Sequence, residues 1–281
     1  MKTRKMTITI LILILAVLIL WTVWGNTAIE INEYSVCSER LPDRFSGFRI
    51  AQVSDLHNAE FGEENEKLIH MLRQSAPDII VITGDLVDSR RTEMKIALQF
   101  AEDAVKIAPC YYVPGNHEAR LSEYDTLKKG LMQAGVTVLD NDSVRLERSG
   151  EFITLAGVSD PAFQNGDDTE IMRDTLDNFT DSESYTVLLS HRPELFSVYV
   201  EYRIDLVFCG HAHGGQFRLP AVGGLIAPHQ GLFPEYDAGL FTKESTSMLV
   251  SRGIGNSLFP FRFNNRPEIV VAELKNSEDT R

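Results

Sequence analysis

Cysteine is scarce in this sequence of 281 residues. The chain has three cysteines, Cys37, Cys110 and Cys209, and so small and odd a number cannot build the paired framework of a disulfide-stapled secreted domain. Cys110 and Cys209 each lie inside an apolar run. We therefore predict buried thiols at these two positions, and the sequence carries no prediction of a disulfide.

Positive charge is scarce as well. The chain has 27 basic and 40 acidic residues, for a formal net charge of −13. Three of the 27, Lys2, Arg4 and Lys5, precede a long apolar run, which leaves 24 basic residues against 40 acidic ones in the remainder. Such a surface repels nucleic acid, because proteins bind it by neutralising its phosphates with lysine and arginine. A phosphate substrate is still compatible with this charge if metal ions supply the local positive charge.

Low-complexity stretches, internal repeats and interdomain linkers are missing after residue 29. The hydrophobic share of 43% and the charged share of 24% are ordinary for a globular protein. Short β-rich runs alternate with helical ones, a pattern that predicts one α/β domain with mixed sheets flanked by helices. We place this domain at residues 46–281 and a juxtamembrane segment at residues 26–45.

A long apolar run near the N-terminus is the exception to this composition. Met6–Trp24 contains 19 uncharged, strongly apolar positions. As a helix the run would be about 28 Å long, close to the bilayer core of about 30 Å. Trp21 and Trp24 stand at its far end, where an interfacial aromatic belt would lie. We therefore predict a transmembrane signal-anchor helix at residues 6–25.

The charges that flank this run predict its orientation. Three basic residues precede it, whereas Glu30 and Glu33 follow it. The positive-inside rule then leaves residues 1–5 in the cytoplasm and the folded domain outside it, on a single-pass protein of the cell membrane. A cleaved signal peptide is the alternative, but its apolar stretch is normally about 7–15 residues long. Residues 26–28 would also make a poor cleavage site, so we favour an uncleaved anchor.

Five short apolar runs are predicted to be buried strands, and each is followed at once by polar residues of metal-binding type. The runs are Arg49–Val53, Ile79–Thr83, Tyr111–Val113, Thr186–Leu189 and Leu206–Cys209. The polar residues that follow them are Asp55 and His57, Asp85, Asn116, His117 and Glu118, His191, and His211 and His213. In α/β sheets functional groups collect beyond the carboxyl ends of strands, so we expect five segments to deliver ligands to one edge of a sheet.

The residue types in this set indicate a metal centre. Asp, Asn and neutral His provide mixed oxygen and nitrogen ligands that suit Mn, Fe, Zn, Co or Ni. The set contains no thiolate, which argues against a closed structural zinc site. In Asp55-x-His57 and His211-x-His213, an extended strand end would point both side chains to one side, toward one metal or two neighbouring metals. Glycines that precede three of the ligands permit tight turns and close approach of the backbone.

The motifs differ in how specifically they indicate a metal site. Asp-x-His or Gly-Asp alone is common, whereas Gly-His-x-His after an apolar strand is far more specific, and all five motifs in order make coincidence a minor concern. Two histidines lie outside the motifs. We predict His70 on a helix surface and His229 in a loop, with a place near the substrate as the alternative for His229.

The order of these motifs resembles the five-block pattern of the calcineurin-like metallophosphoesterases, over roughly Phe48 to Leu274. Gly214–Gln216, Glu235–Leu240 and Val250–Gly255 are similar to a narrower branch of membrane-anchored bacterial members. That branch includes phosphodiesterases that resemble UDP-2,3-diacylglucosamine pyrophosphatase. The resemblance implies a two-sheet α-β-β-α sandwich with helices on both outer faces.

The resemblance also implies a ligand set for two divalent metal ions, with Asp85 as the bridge between them. The other ligands would be Asp55, His57 and His213 at the first ion, and Asn116, His191 and His211 at the second. His117 would be a catalytic residue that protonates the leaving oxygen or stabilises charge there. Glu118 would either orient His117 or face solvent.

The activity implied is hydrolysis of a phosphoester, with a phosphodiester favoured, by in-line attack of a metal-bound hydroxide with His117 as the general acid. The branch indicates a lipid-linked or cell-envelope substrate. Arg252, together with Arg262 and Arg266, is a candidate for holding a second phosphate or head group, and solvated surface arginines are the alternative. A lipid chain would meet apolar loop residues, for which ordinary packing is the alternative: Leu232, Phe233, Leu258, Phe259 and Phe261.

Two other functions stay open at this point. A metal-binding scaffold without activity would recruit partners at the membrane, but the intact His117 beside a full ligand set argues against it. A nuclease of the same superfamily is disfavoured by the acidic balance and by the anchor, so no nucleic-acid partner is expected. The sequence carries no prediction of oligomeric state.

Overall fold

The five apolar runs predicted as strands are strands in the computed structural model, which describes residues 2–179 and 184–277. The helices are α1 (Lys2–Thr27), α2 (Glu66–Gln74), α3 (Met94–Ala104), α4 (Tyr124–Ala134), α5 (Asp168–Leu176) and α6 (Phe196–Glu201). The strands are β1 (Glu30–Ser38), β2 (Arg49–Val53), β3 (Ile79–Thr83), β4 (Cys110–Val113), β5 (Thr137–Val138), β6 (Asp142–Arg148), β7 (Glu151–Gly157), β8 (Thr186–Leu189), β9 (Leu206–Cys209), β10 (Arg218–Leu219), β11 (Gly223–Gly224), β12 (Ile226–Ala227), β13 (Gly231–Leu232), β14 (Gly239–Lys243), β15 (Thr246–Val250) and β16 (Glu268–Asn276).

Most of these strands belong to two six-stranded sheets. The first sheet has the order β1-β16-β2-β3-β4-β5, and the second has the order β14-β15-β9-β8-β7-β6. Strands β2, β3, β4 and β5 are parallel to one another in the first sheet, where β2 pairs antiparallel with β16, and β7, β8, β9 and β15 are parallel in the second. Because parallel strands end at the same edge, the polar residues that follow the predicted strands are gathered there.

The burial of β3 explains why the two sheets pack face to face. All five of its residues are buried. Ile80 and Ile82 pack in a core with α2, α3 and α4, whereas Ile79 and Val81 lie in a second core with residues of β8 and β9. Side chains alternate along a strand, so one apolar run supplies both cores. A third core packs the second sheet against α5 and α6, which completes the predicted α-β-β-α sandwich.

One buried amide ties the sheets together next to the ligand-bearing edge. The Nε2 atom of Gln52 on β2 donates to Thr83 Oγ1 at 2.8 Å and to the main-chain oxygen of Cys209 at 2.8 Å. These contacts hold the ends of β2, β3 and β9 together, so the segments that follow these strands start from neighbouring positions. The Cys110 and Cys209 thiols are free and buried, as predicted, and Cys37 is free and exposed.

Helix α1 projects from this sandwich with its apolar side chains exposed. Residues Arg4–Thr27 are long and apolar enough to cross a membrane. The segment 26–45, which the sequence separates as juxtamembrane, contributes β1, and β1 pairs in parallel with β16 along its whole length. The folded part of the chain therefore begins before residue 46.

Candidate metal centre

All eight predicted ligand and catalytic residues are buried at the shared edge of the sheets. They are Asp55, His57, Asp85, Asn116, His117, His191, His211 and His213. Segments that follow β2, β3, β4, β8 and β9 carry them, as the sequence predicts. The five segments thus converge on one place in the fold.

The first group of ligand atoms comes from Asp55, His57 and His213, whose donor atoms all lie within 4.8 Å of one another. His57 Nε2 is 3.2 Å from His213 Nε2. His213 Nε2 is 3.4 Å from Asp55 Oδ1, and His57 Nε2 is 3.8 Å from the same oxygen. Two nitrogens and one carboxylate oxygen therefore face a common point.

The second group comes from Asp85, His191 and His211, whose donor atoms also all lie within 4.8 Å of one another. His191 Nε2 is 3.2 Å from His211 Nδ1 and 3.3 Å from Asp85 Oδ2. Asn116 Oδ1 also lies 3.2 Å from His191 Nε2. Asp85 Oδ2 is at the same time 3.5 Å from His57 Nε2 of the first group. The carboxylate of Asp85 consequently stands between the two groups.

The chemistry of this donor set fits bound cations. Burial lowers the pKa of His57 to about 3 and holds the pKa values of His211 and His213 well below the usual range, so their nitrogens keep free lone pairs at neutral pH. Against the effect of burial, Asp85 raises the pKa of His191 to about 10. A divalent cation between Asp85 and His191 would replace the proton that these two groups otherwise share.

Backbone conformation, and not an extended strand end, brings the paired ligands together. Asp55 and His57 have φ of 54° and 46°, and Asp85, His211 and His213 also have positive φ. Residues with side chains rarely adopt this left-handed region, and such strain is concentrated at functional sites. The prediction that Asp-x-His and His-x-His pairs use extended geometry is therefore wrong, although the pairs do converge.

Two glycines are required by close approach at this edge. A Cβ atom on Gly115 would lie 2.3 Å from Asp85 Oδ1, and one on Gly210 would lie 1.9 Å from Ser54 Oγ. Both distances are far shorter than any allowed contact. The two motif glycines therefore let neighbouring turns pack against the aspartates.

A cavity of about 490 Å³ opens over the two groups. Its polar lining includes Asp85, Asn116, His117, His211 and His213, together with Arg90, Arg120, Gln216 and His229. Its apolar lining includes Ile226, Ala227, Pro228, Leu258 and Phe259. A larger open groove, of about 980 Å³, lies between the end of α1 and α2, away from these ligands. The chemistry therefore belongs to the smaller cavity.

His117 is held beside the first group with a defined orientation. The Ser89 amide donates to His117 Nδ1 at 3.0 Å, and Asp88 Oδ1 lies 3.7 Å from that nitrogen. Because Nδ1 accepts a hydrogen bond, the neutral ring carries its proton on Nε2, which lies 3.2 Å from Ser257 Oγ. Burial lowers the pKa of His117. Asp88 and Ser89 were not predicted from the sequence, which has no pattern that indicates their contacts with His117.

The sequence profile of the calcineurin-like phosphoesterases matches residues 48–215. The chain belongs to this family. The uncharacterized metallophosphoesterase YkuE of Bacillus subtilis is 34% identical over 258 residues, which cover 89% of this chain and 86% of that protein. The phosphodiesterase YaeI of Escherichia coli is 28% identical over 240 residues, with 83% and 84% covered.

A third relative contains a transmembrane part. The transmembrane protein with metallophosphoesterase domain of Danio rerio is 28% identical over 264 residues, which cover 88% of this chain and 57% of that protein. The family and these relatives make this calcineurin-like phosphoesterase a hydrolase with a metal-binding site.

Two of its other predicted residues, Glu118 and Arg252, have different surroundings from those expected.

Glu118 neither orients His117 nor faces solvent. Its carboxylate is fully buried and accepts hydrogen bonds from the backbone amides of Gly115 at 2.7 Å, Asp85 at 2.8 Å and Val87 at 3.2 Å. Burial and the nearby Asp85 raise the pKa of Glu118 to about 7. The residue therefore supports the two turns that carry Asp85 and Asn116.

The predicted substrate candidates His229 and Arg252 lie in different places. His229 lines the cavity, with Nδ1 2.9 Å from both His211 Nε2 and Arg192 Nη1. Arg252 is instead held in ion pairs with Glu268 and Glu30, which is neither the phosphate contact nor the solvated surface considered from the sequence. His70 lies exposed on α2, as predicted.

Proposed function

We propose that this phosphoesterase hydrolyses phosphodiesters with two divalent metal ions held at the two ligand groups. The observation that carries the proposal is the position of Asp85 Oδ2, 3.5 Å from His57 of one group and 3.3 Å from His191 of the other. One carboxylate shared by two nitrogen-rich groups suits a pair of neighbouring cations.

The residues that would hold these ions follow from the two groups. The first ion would take Asp55, His57, His213 and Asp85, and the second would take Asp85, Asn116, His191 and His211. Nitrogen and oxygen donors suit Mn, Fe, Zn, Co or Ni. When bound, such ions neutralise charge on a phosphate and lower the pKa of a water molecule.

His117 would act on the leaving group. Its Nε2 faces the cavity, because the Ser89 amide occupies Nδ1. Nε2–H can therefore donate to the oxygen that leaves phosphorus. Asp88 near Nδ1 keeps its negative charge, since hydrogen bonds from Arg90 lower its pKa to about 2 against the effect of burial. Once protonated, the ring would no longer accept the Ser89 amide at Nδ1, and the Asp88 charge 3.7 Å from that nitrogen would then stabilise the imidazolium that donates from Nε2.

A diester on a lipid or another cell-envelope molecule is the substrate that we favour. The cavity is larger than a phosphate group needs and has an apolar wall of Leu258, Phe259 and Ile226. We further propose that residues 6–25 span the membrane, with residues 1–5 in the cytoplasm and the folded domain, including β1, outside. The apolar length of α1 and the preceding basic residues support this arrangement.

The test uses the full-length chain in detergent, freed of metal and then supplied with manganese, zinc or iron. We expect metal-dependent release from bis-p-nitrophenyl phosphate, faster than from p-nitrophenyl phosphate. His117→Asn should retain its metal content and lose turnover by about 10²–10⁴-fold on an alkyl diester. The loss should be smaller with p-nitrophenolate, which needs little protonation as it leaves.

His70→Asn, on the exposed face of α2, is the matched control and should behave as the unsubstituted protein. Unchanged turnover of His117→Asn on the alkyl diester would refute the role of His117. A folded, metal-loaded chain without activity on any diester, in water or in lipid, would favour a binding scaffold.

A further inference from the structure

One loop connects the anchor helix, the cavity and His117. Asn26, in the last turn of α1, accepts a hydrogen bond from the Arg262 amide at 2.7 Å and donates to the Arg262 carbonyl at 2.8 Å. The Asn256 side chain also donates to Asn26, at 3.5 Å. Both ends of the segment 256–262 are thus held at the end of α1.

The tip of this segment is apolar and exposed. Leu258 is 75% exposed, and Phe259 and Phe261 are also exposed. The rings of Phe259 and Phe261 rest on Phe217, with centroids 5.3 Å and 5.5 Å apart. Leu258 and Phe259 line the cavity as well. Aromatic packing therefore holds apolar side chains out in solvent at the mouth of the cavity.

A second apolar segment stands across the mouth. The hairpin of β12 and β13 places Ile226 opposite Leu232, and Ile226 lines the cavity. Leu232 is 71% exposed and the following Phe233 is 64% exposed. We call the six residues on the two segments the apolar rim: Ile226, Leu232, Phe233, Leu258, Phe259 and Phe261.

Arg266 fixes the end of α1 to the folded domain. Its guanidinium donates to the carbonyls of Ala28 and Ile29, pairs with Glu30, and lies 4.8 Å from the ring centroid of Trp24. The chain that leaves α1 is consequently bound to the domain over several residues. Because the end of a spanning helix lies at the membrane surface, the adjacent tip lies at that surface too.

The groove between the end of α1 and α2 is lined largely by charged residues, unlike the apolar rim. These side chains carry both signs of charge, among them Glu63, Glu64, Lys67 and Arg73, and Ile69 and Met71 line the groove as well. Lipid surfaces accept apolar and aromatic side chains, whereas carboxylates stay in water. Of these two sides, only the rim suits contact with a bilayer.

We infer that the apolar rim docks on the lipid bilayer beside the end of α1, so that the cavity opens onto the membrane. A phosphodiester would then enter with its apolar chain still in the lipid and its phosphate at the metal groups. This substrate route rests on the proposed function, whereas the docking itself does not. The contact of Ser257 with His117 places the catalytic histidine directly behind the docking segment.

Docking is tested on the full-length chain in phospholipid vesicles. A Cys37→Ser background leaves the buried Cys110 and Cys209, and one fluorescent label is attached at Leu258→Cys. The matched control carries the label at Glu64→Cys, which is also near the end of α1. We expect lipids with a nitroxide high on the acyl chain to quench the label at 258 at least threefold more than the label at 64.

Equal quenching at the two positions would overturn the docking, whatever the enzyme hydrolyses. Crosslinking of two chains through position 258 without lipid quenching would show that a second copy covers the rim, and would overturn it as well. Quenching at 258 in a chain that hydrolyses no diester would uphold the docking and count against the proposed function.

Substrate entry is tested with Leu232→Ser combined with Phe261→Ser, at two rim positions outside the cavity lining. Turnover of soluble bis-p-nitrophenyl phosphate should stay within twofold. Turnover of an acylated p-nitrophenyl phosphodiester in vesicles should fall at least tenfold. Equal rates for the variant and the unsubstituted protein on the vesicle substrate would refute entry from the membrane.

Discussion

Glu118 provides a quantitative test of how the metal-binding turns are supported. Its two oxygens accept three backbone hydrogen bonds, from Gly115, Asp85 and Val87. In Glu118→Gln one carboxylate oxygen becomes an amide donor. The Gln amide oxygen can still serve the Gly115 and Asp85 amides, but the buried Val87 amide then faces another donor.

A buried donor without a partner costs about 1–3 kcal/mol, and at a pH above the raised pKa of Glu118, about 7, loss of the charged acceptor adds to it. For a domain of this size, about 1 kcal/mol shifts the unfolding midpoint by about 2–4 °C. We therefore expect Glu118→Gln to lower the midpoint by roughly 2–12 °C. Glu118→Ala should lower it further, because all three amides lose their acceptor.

The assay is thermal unfolding of the full-length chain in detergent, followed by circular dichroism and repeated on metal-free and metal-loaded protein. Glu147→Gln, at an exposed position of β6, is the matched control and should change stability by less than about 0.5 kcal/mol. A shift for Glu118→Gln no larger than that of Glu147→Gln would refute the reasoning.

Two further predictions concern the metal groups. Gly115→Ala should reduce bound metal per chain, measured by elemental analysis, and turnover at least tenfold, because the new methyl group would lie 2.3 Å from Asp85 Oδ1. The control is Gly25→Ala, where a Cβ atom would meet nothing within 4 Å apart from its chain neighbours and the backbone of its own helix. Full metal content in Gly115→Ala would contradict the packing argument. Loading the metal-free chain with metal at 100 times its dissociation constant should stabilise it by about 2.7 kcal/mol per site. An unfolding midpoint that does not change on loading would show that the folded groups do not bind the ion.

Local patterns account for the part of this fold that the sequence predicts well. Ile79–Thr83 is predicted as a strand because it is a short, uninterrupted apolar run, and Asp85 lies at its end because polar residues cannot continue into the core. The same reasoning locates the other four strands, and strand ends in parallel sheets share an edge. Convergence of the five ligand-bearing segments follows from this topology.

Hydrogen bonds from main-chain amides explain why the surroundings of Glu118 were predicted wrongly and why Ser89 was not predicted. Glu118 binds three main-chain amides, and Ser89 orients His117 with its own amide. Neither contact depends on the identity of the residue that provides the amide, so the sequence has no pattern to indicate it. The left-handed conformation of Asp55 and His57 is likewise visible only when neighbouring segments are in place.

No local sequence pattern indicates the link between the anchor helix and the metal centre. Asn26 and Arg262 are 236 positions apart, and Arg266 reaches back to Ala28 over 238. In the sequence, residues 26–45 show the mixed polarity of a tether. This polarity is explained by the position of β1, which is mostly half-buried and pairs on one side with β16. Only when β16 returns the chain beside β1 do these side chains meet. A helix whose composition indicates a simple anchor is therefore bound to the loop that contacts His117, and the position of the candidate metal centre relative to that helix follows from that binding.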